Sequence, residues 1–401
     1  LHLAKLRGEK EFIMTATAWG TNDPRTQKTW LQQYFDYAIK SLMLSGMMGT
    51  GPDQPFQIVD KITDERKKGD KVGLELEIPL SGVGQGDGGR VTDHEEAMVI
   101  QNMEVVIHER MHGVVSDGKL SEKRTATNFR ELAMRQLKVW SKNVAQEPDL
   151  IAALFGLYNA SGIATVNEVL PSANRIVYGG QSVAGAVSAA TMTSDALLSA
   201  ETAASTLCGL QFLSVIKRKA MLATPRIRPL NVNGMDCYRV LIHPYQKKAI
   251  VQSTGEQAFI KMLTEAEQKG KGNPVLSGGP FFYDGMFIQE YDRCPIRTGA
   301  GGTTPSEGFW LNAGRTATTD PVANTRTVAA GMLLGCQAVV LVPGAKPEWV
   351  EDWVDGNIPW AKAHLMYATK KVQFNAFTPP STNAAQEDYG CIQFQNQVIV
   401  D

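Results

Sequence analysis

Lys71-Val72-Gly73-Leu74-Glu75-Leu76-Glu77-Ile78-Pro79-Leu80 places Val72, Leu74, Leu76, Ile78 and Leu80 at every second position, with Lys71, Glu75 and Glu77 between them. Alternate residues of a strand face opposite sides, so the run predicts a half-buried strand, apolar on one face and charged on the other. At roughly 3.3 Å per residue it spans about 30 Å, long for one strand of a compact domain. Pro79 has no N–H to donate, which puts it at an edge or a strand end. Ser81 to Gly89 follows, with Gly82, Gly84, Gly86, Gly88 and Gly89 removing the Cβ that would stiffen the chain. The expectation is an extended, glycine-tipped arm.

Gly84, Gly86 and Gly89 also spell G-x-G-x-x-G. That fingerprint cradles a phosphate only where a strand precedes it and a helix opens directly after it. Pro79 and an Asp/Gly run intervene here, so the stretch reads as a hairpin tip.

The returning half carries His108-Glu109-Arg110-Met111-His112, which matches H-E-x-x-H. On a helix the two imidazoles share one face and could grip Zn²⁺ while Glu109 activates the bound water. Periodicity alone fits either a helix or a strand. The β-branched Val105, Val106, Ile107, Val114 and Val115, with Gly113 after His112, tip the reading toward a strand. There the histidines would stand about 13 Å apart, too far to share a metal. No H-x-x-G-x-x-H extension follows, and Glu131 would be a distant third ligand.

The chain has 401 residues, 43% of them hydrophobic, enough for a sizeable core and two or three domains. Forty basic residues against 41 acidic ones leave a net charge of −1, which excludes a global pull toward nucleic acid or anionic membrane. Cys208, Cys237, Cys294, Cys336 and Cys391 form no C-x-x-C pair and read as thiols of a reducing compartment. No apolar run reaches the ~20 residues a membrane span needs, and no signal-peptide core is seen, so a soluble cytoplasmic product is expected. Residue 1 is Leu; Arg7-Gly8-Glu9-Lys10-Glu11 precedes Met14, so residues 1–13 are expected to be translated ribosome-binding sequence.

After Asn22-Asp23-Pro24, the positions Trp30, Leu31, Tyr34, Phe35, Ala38, Ile39 and Leu42 predict an amphipathic helix. From Ser121, the positions Phe129, Leu132, Ala133, Gln136, Leu137, Trp140 and Val144 predict a long helix that Glu147-Pro148 ends. A short helix is expected over Asp149 to Tyr158 and another around Asp195 to Leu222. Lys217, Arg218, Lys219, Arg226 and Arg228 are the densest basic cluster, a solvated helix end or a contact with packaged nucleic acid. Tyr238 to Ile242 reads as a buried strand stopping at His243-Pro244, with a helix beginning within Tyr245 to Lys248. Asp284-Gly285 signals a hairpin turn. A surface loop over 298–325, a buried segment from Val328 to Val342, a loop from Trp349 to Trp360 and strands around Ala363, Val372 and Ile392 complete the chain. Outside the HERMH match no nucleophile, Walker sequence or carboxylate cluster has a catalytic setting, which favours a structural role.

In this order of elements the chain resembles the Hong Kong 97-type major capsid proteins of tailed bacteriophages, and among them the N-four-like podophage branch. The markers are the strand ending at His243-Pro244, the run from Asn273-Pro274-Val275 to Asp284-Gly285-Met286-Phe287, and Ala329-Ala330-Gly331-Met332-Leu333-Leu334-Gly335-Cys336-Gln337-Ala338. The resemblance implies an α+β fold: an N-terminal arm (1–59), an extended loop (60–113), a peripheral domain with its spine helix (114–160), an axial α/β domain (161–342) and a return to the peripheral domain (343–401).

It further implies an inter-subunit arm carrying Val72, Leu74, Leu76, Ile78, Leu80, Gly82, Gly84 and Gly86, and a spine helix carrying Phe129, Leu132, Leu137 and Trp140. The function implied is self-assembly into hexamers and pentamers of an icosahedral head around double-stranded DNA, in the virion, after assembly in the host cytoplasm. Portal, scaffolding and cement proteins are the implied partners, the DNA contact is weak and non-specific, and no cofactor, metal, catalytic residue or membrane is involved. The alternatives are an H-E-x-x-H zinc metallopeptidase and an encapsulin-like nanocompartment shell.

Overall fold

The computed structural model describes residues 44–49, 58–61, 69–77, 86–87, 100–124, 128–156, 172–180, 207–232, 234–254, 281–297, 327–345, 348–354, 358–375 and 386–398. The expected N-terminal helix, the 298–325 loop and most of the glycine tip lie outside them. In chain order the strands are β1 Met48–Gly49, β2 Val59–Lys61, β3 Lys71–Glu77, β4 Ile100–Val106 and β5 His108–Val115. Helices α1 Lys119–Arg124 and α2 Phe129–Trp140 follow, then a π-helical segment Ser141–Gln146 and α3 Glu147–Phe155. Next come β6 Ile176–Tyr178, α4 Leu210–Leu222, β7 Leu230–Val232, β8 Met235–Ile242 and α5 Pro244–Thr254. The chain continues with β9 Phe281–Tyr283, β10 Met286–Glu290, β11 Ile296–Arg297, β12 Thr327–Leu334 and β13 Val339–Pro343. It closes with β14 Glu348–Val354, β15 Ile358–Lys371, β16 Gln373–Asn375, β17 Gln386–Asp388 and β18 Cys391–Val398.

Among these residues two sheets dominate. The first runs β1-β2-β13-β15-β14, with β5 on the other side of β15. The second runs β6-β18-β12-β8-β10-β9. The chain passes between them at Gly335–Ala338 and returns through Tyr389-Gly390, so β13 belongs with β15 while β18 pairs with β12. Val339–Pro343 thus lies in the first sheet and Cys391–Val398 in the second.

Alternation along β15 explains the layering. Ala361, Ala363, Leu365 and Tyr367 join Ala133, Met134 and Leu137 of α2 and Leu150, Ile151 and Leu154 of α3 in one core, which continues onto one face of the second sheet through Leu241, Met332 and Leu334. Helices α4 and α5 cover the other face of that sheet with Phe212, Leu213, Ile216 and Ile250 against Val240, Ile242, Ile392 and Phe394.

Two expectations need correction. Glu147-Pro148 does not end the long helix: the backbone widens into the π-helical segment, which runs on into α3 with Pro148 in its first turn. All nine residues of α3 are buried, and Gly156 closes it in the left-handed conformation at φ 64°. The Trp349 to Trp360 segment is a hairpin of β14 and β15. The turn at Asp284-Gly285 is as expected, with φ 45° and 69° across a two-residue loop.

Candidate assembly surface

The arm begins as the β3–β4 pair, in which Val72 faces Val105 and Leu74 faces Met103. Directly opposed residues share a face, so the apolar halves of both strands coincide. Met103 and Val105 are buried, and Val72 and Leu74 half-buried, against Val340 and Val342 of β13, Ala368 of β15, Val372 and Phe374. Val72 and Leu74 are thus half-covered by packing within their own chain. The Leu76 side chain, Ile78, Leu80, Gly82 and Gly84 lie outside the described residues. Gly86 is exposed, with open space where a Cβ would stand. Lys370 Nζ donates to the carbonyl of Glu104 at 2.6 Å, fastening β4 to the sheet, and burial pulls the Lys370 ammonium below its usual range.

Ala368 fixes which face the arm covers. It lies opposite Val342 and on the side of β15 that also carries Trp360, Lys362, His364 and Met366, away from the helices. Over the rest of that face the pairs are Met111 with His364, Val115 with Trp360, and Val350 with Lys362. Met111 is 53% exposed and Val115 65%. Glu109 sits 2.6 Å from Nε2 of His364, without hydrogen-bond geometry, and Glu348 3.5 Å from Nδ1. Among the described residues, one half of this outer face is therefore roofed by the arm's base, and the other half is bare, apolar residues alternating with charges.

The same strand β5 disposes of the helical zinc site. His108 to Val115 pair antiparallel with β15, so His108 and His112 are extended, not one helical turn apart. His112 stacks on Trp140 at 4.8 Å, and burial, with Arg110 nearby, lowers the His108 pKa. Among the described residues no group of His, Cys, Asp and Glu could hold a metal ion. Arg110, a residue the motif leaves unspecified, is the one that turns inward: its Nη2 donates to Asp149 Oδ1 at 2.6 Å, and the Tyr367 hydroxyl donates to Oδ2 at 2.6 Å. A buried acid and base at this separation in sequence leave no motif; the cue was an Asp at the head of a helix that is wholly apolar from Leu150 onward.

On α2, Asn128 caps the N-terminus by accepting from the Arg130 N–H. Leu137 is buried and Phe129 and Trp140 are half-buried as expected, but Leu132 points outward at 42% exposure. Met134 takes the inward place, because the buried stripe runs Ala133, Met134, Leu137 and on to Ala145. In the basic cluster, Lys217 Nζ lies 2.9 Å from Asp284 Oδ1 and donates to the Asp284 carbonyl at 2.6 Å, holding that carboxyl below its usual pKa. Arg218, Lys219, Arg226 and Arg228 are exposed.

No helix among the described residues is long and apolar enough to cross a membrane. Residues 18–398 match the family model described as phage capsid protein. No curated protein matches the chain. Of solved structures, the capsid of Ralstonia phage GP4 aligns at 21% identity and TM-score 0.65, covering 88% of this chain and 90% of its own. The cyanophage Pam1 capsid aligns at 19% identity and TM-score 0.65, covering 90% and 94%. The acid-stable capsid of Helicobacter pylori bacteriophage KHP30 aligns at 13% identity and TM-score 0.60, covering 89% and 91%.

Proposed function

From the premise that this chain belongs to the phage capsid protein family and has the Hong Kong 97-type fold, we propose that it assembles with its own copies into the hexamers and pentamers of an icosahedral head around double-stranded DNA. It is a structural component of the virion, built in the host cytoplasm. The first sheet with α2 and α3 serves as the peripheral domain, and the second sheet with α4 and α5 as the axial domain.

The half-roofed outer face of the first sheet carries this reading. The arm's base already lies on that face, so the same kind of ribbon, lent by an adjacent copy, suits the bare half beside it: Met111, Val115 and Val350 for its apolar side, Glu109, Lys362 and Glu348 for its polar side. Many such modest contacts, repeated around closed rings, stabilise a shell without one large interface. The exposed Arg218, Arg226 and Arg228 supply the weak, salt-sensitive contact with packaged DNA. Portal, scaffolding and cement proteins complete the assembly, and the run around Asp284-Gly285 supports a place in the N-four-like branch.

Electron microscopy of the expressed protein tests the proposal. Closed shells with six-fold and five-fold capsomers are the expected result. A chain that stays monomeric through salt, pH and crowding screens overturns it.

A further inference from the structure

Four charged side chains are buried together: Lys371, Asp388, Glu387 and Arg175, with side-chain exposures of 0, 1, 4 and 2%. Lys371 ends β15, and its Nζ lies 3.1 Å from each carboxylate oxygen of Asp388. Gln373 Nε2 donates to Asp388 Oδ1 at 2.5 Å. Glu387 accepts from the Ser172 hydroxyl at 2.9 Å and from Asn174 Nδ2 at 2.6 Å, with Arg175 Nε 3.4 Å away. Arg175 Nη2 in turn donates to the Pro225 carbonyl at 2.6 Å.

The elements that meet here matter more than the charges themselves. Lys371 belongs to the first sheet. Arg175 leads directly into β6 of the second, and the β17 residues Glu387 and Asp388 run through Tyr389-Gly390 into β18 of that same sheet. The β16–β17 hairpin also touches the arm: Phe374 packs with Met103 and Val105, and the Gln373 N–H approaches Met103 Sδ at 3.5 Å. One hairpin thus joins the arm's base to both sheets.

Burying ions is expensive, and apolar replacements of a whole pair are often neutral or stabilising, so net stability is a poor reason for four charges at one spot. What they do impose is geometry, since the Asp388 and Glu387 carboxylate oxygens meet their donors only when strand end, hairpin and the 172–175 turn hold one arrangement. We propose that this cluster is a joint that locks the arm's base to the second sheet, so that a tilt of one is transmitted to the other. The significance of that coupling for a shell rests on the reading of the arm as the inter-subunit element.

The test is hydrogen exchange on the unassembled full chain, comparing the parent with Lys371→Met/Asp388→Leu, which removes the pair without stranding a charge. Amides of Lys71–Glu77 and Ile100–Val106 are expected to exchange about tenfold faster, while Cys391–Val398 keeps its rate, the signature of a local release. Unchanged arm amides overturn the proposal, and so does an equal rise in all three strands, which marks a general loss of stability. Should the double variant not fold, Asn174→Ala removes one bond to Glu387 from an exposed position and is expected to give a smaller rise confined to the same arm strands; no such rise overturns the joint. Because the readout precedes assembly, its failure is distinct from failure of the shell proposal, which particle formation decides.

Discussion

Arg110 and Asp149 meet at 2.6 Å with both side chains buried, joining the strand that follows the arm to the helix that has Pro148 in its first turn. Tyr367 reaches the other oxygen from β15, so three elements converge on one carboxylate. Replacing Arg110 by Ala removes the cation and leaves a buried anion, a loss of about 3–5 kcal/mol. His108→Ala, at a half-buried position with no ion-pair partner among the described residues, is expected to cost less than about 1.5 kcal/mol, in the range of ordinary substitutions. Denaturant unfolding of the unassembled chain measures both, and equal losses would contradict the assignment of roles.

A second prediction concerns Gly331, in the middle of β12. A Cβ there would overlap the Phe394 ring and lie 2.9 Å from the Leu241 carbonyl, on the two strands flanking β12. Backbone on one side and a packed ring on the other leave little room to yield. Gly331→Ala should therefore destabilise by about 1–3 kcal/mol, the usual cost of overpacking. Gly86→Ala, in open space, is expected to leave the unfolding midpoint unchanged.

How much of this was legible in the sequence depends on the kind of signal. Val72-x-Leu74 and the run into His243-Pro244 read correctly because period-two alternation and a proline stop are local. The Asp284-Gly285 turn was local too. Pro148 was not decisive, since a proline just past one helix and a proline in the first turn of the next look alike in sequence; a π-helical segment without a break links them. The β14–β15 hairpin had a cue, Asp355-Gly356 after Trp349, Glu351 and Trp353, but Pro359 argued against a strand there. Leu132 was placed inward on a uniform helical period; the buried stripe instead passes through Ala133 and Met134. The buried charges Lys371, Asp388 and Arg175 had no signature at all, because their partners are brought together only by the crossings between sheets.

A pH dependence follows from His243. Burial lowers its pKa from the ordinary 6.5, although Asp292 pulls the other way. Its Nδ1 accepts from the Tyr245 N–H at 3.2 Å, so the native ring is neutral at that nitrogen. The native state therefore binds fewer protons than the unfolded chain near pH 6, and the stabilisation is full above pH 6.5 and is lost as pH falls through the lowered native value. Unfolding of the unassembled chain from pH 7.5 down to about 5 should show this fall, and His243→Gln should reduce it, with His108, whose pKa burial also lowers, supplying the remainder. A wild-type slope in the variant would place the titration elsewhere.

The bare half of the outer face yields the last prediction. Met111 and Val115 are exposed, so Met111→Asp or Val115→Asp should change protomer stability by no more than about 0.5 kcal/mol. In a shell the same change recurs at every copy, and a contact weakened by about 1.4 kcal/mol raises the protein concentration needed for that contact tenfold. Both variants are thus expected to fold yet to assemble poorly. Deleting Ser81 to Gly89 should do the same from the arm's side. If ribbon and face form one contact, combining the deletion with Met111→Asp costs no more than the worse lesion alone, as coupled partners do; independent losses that simply add would mean they meet different surfaces. Particle yield by sedimentation, with circular dichroism of the unassembled fraction to confirm folding, gives the answer, and normal shells from the deletion variant would show that the arm does not hold copies together.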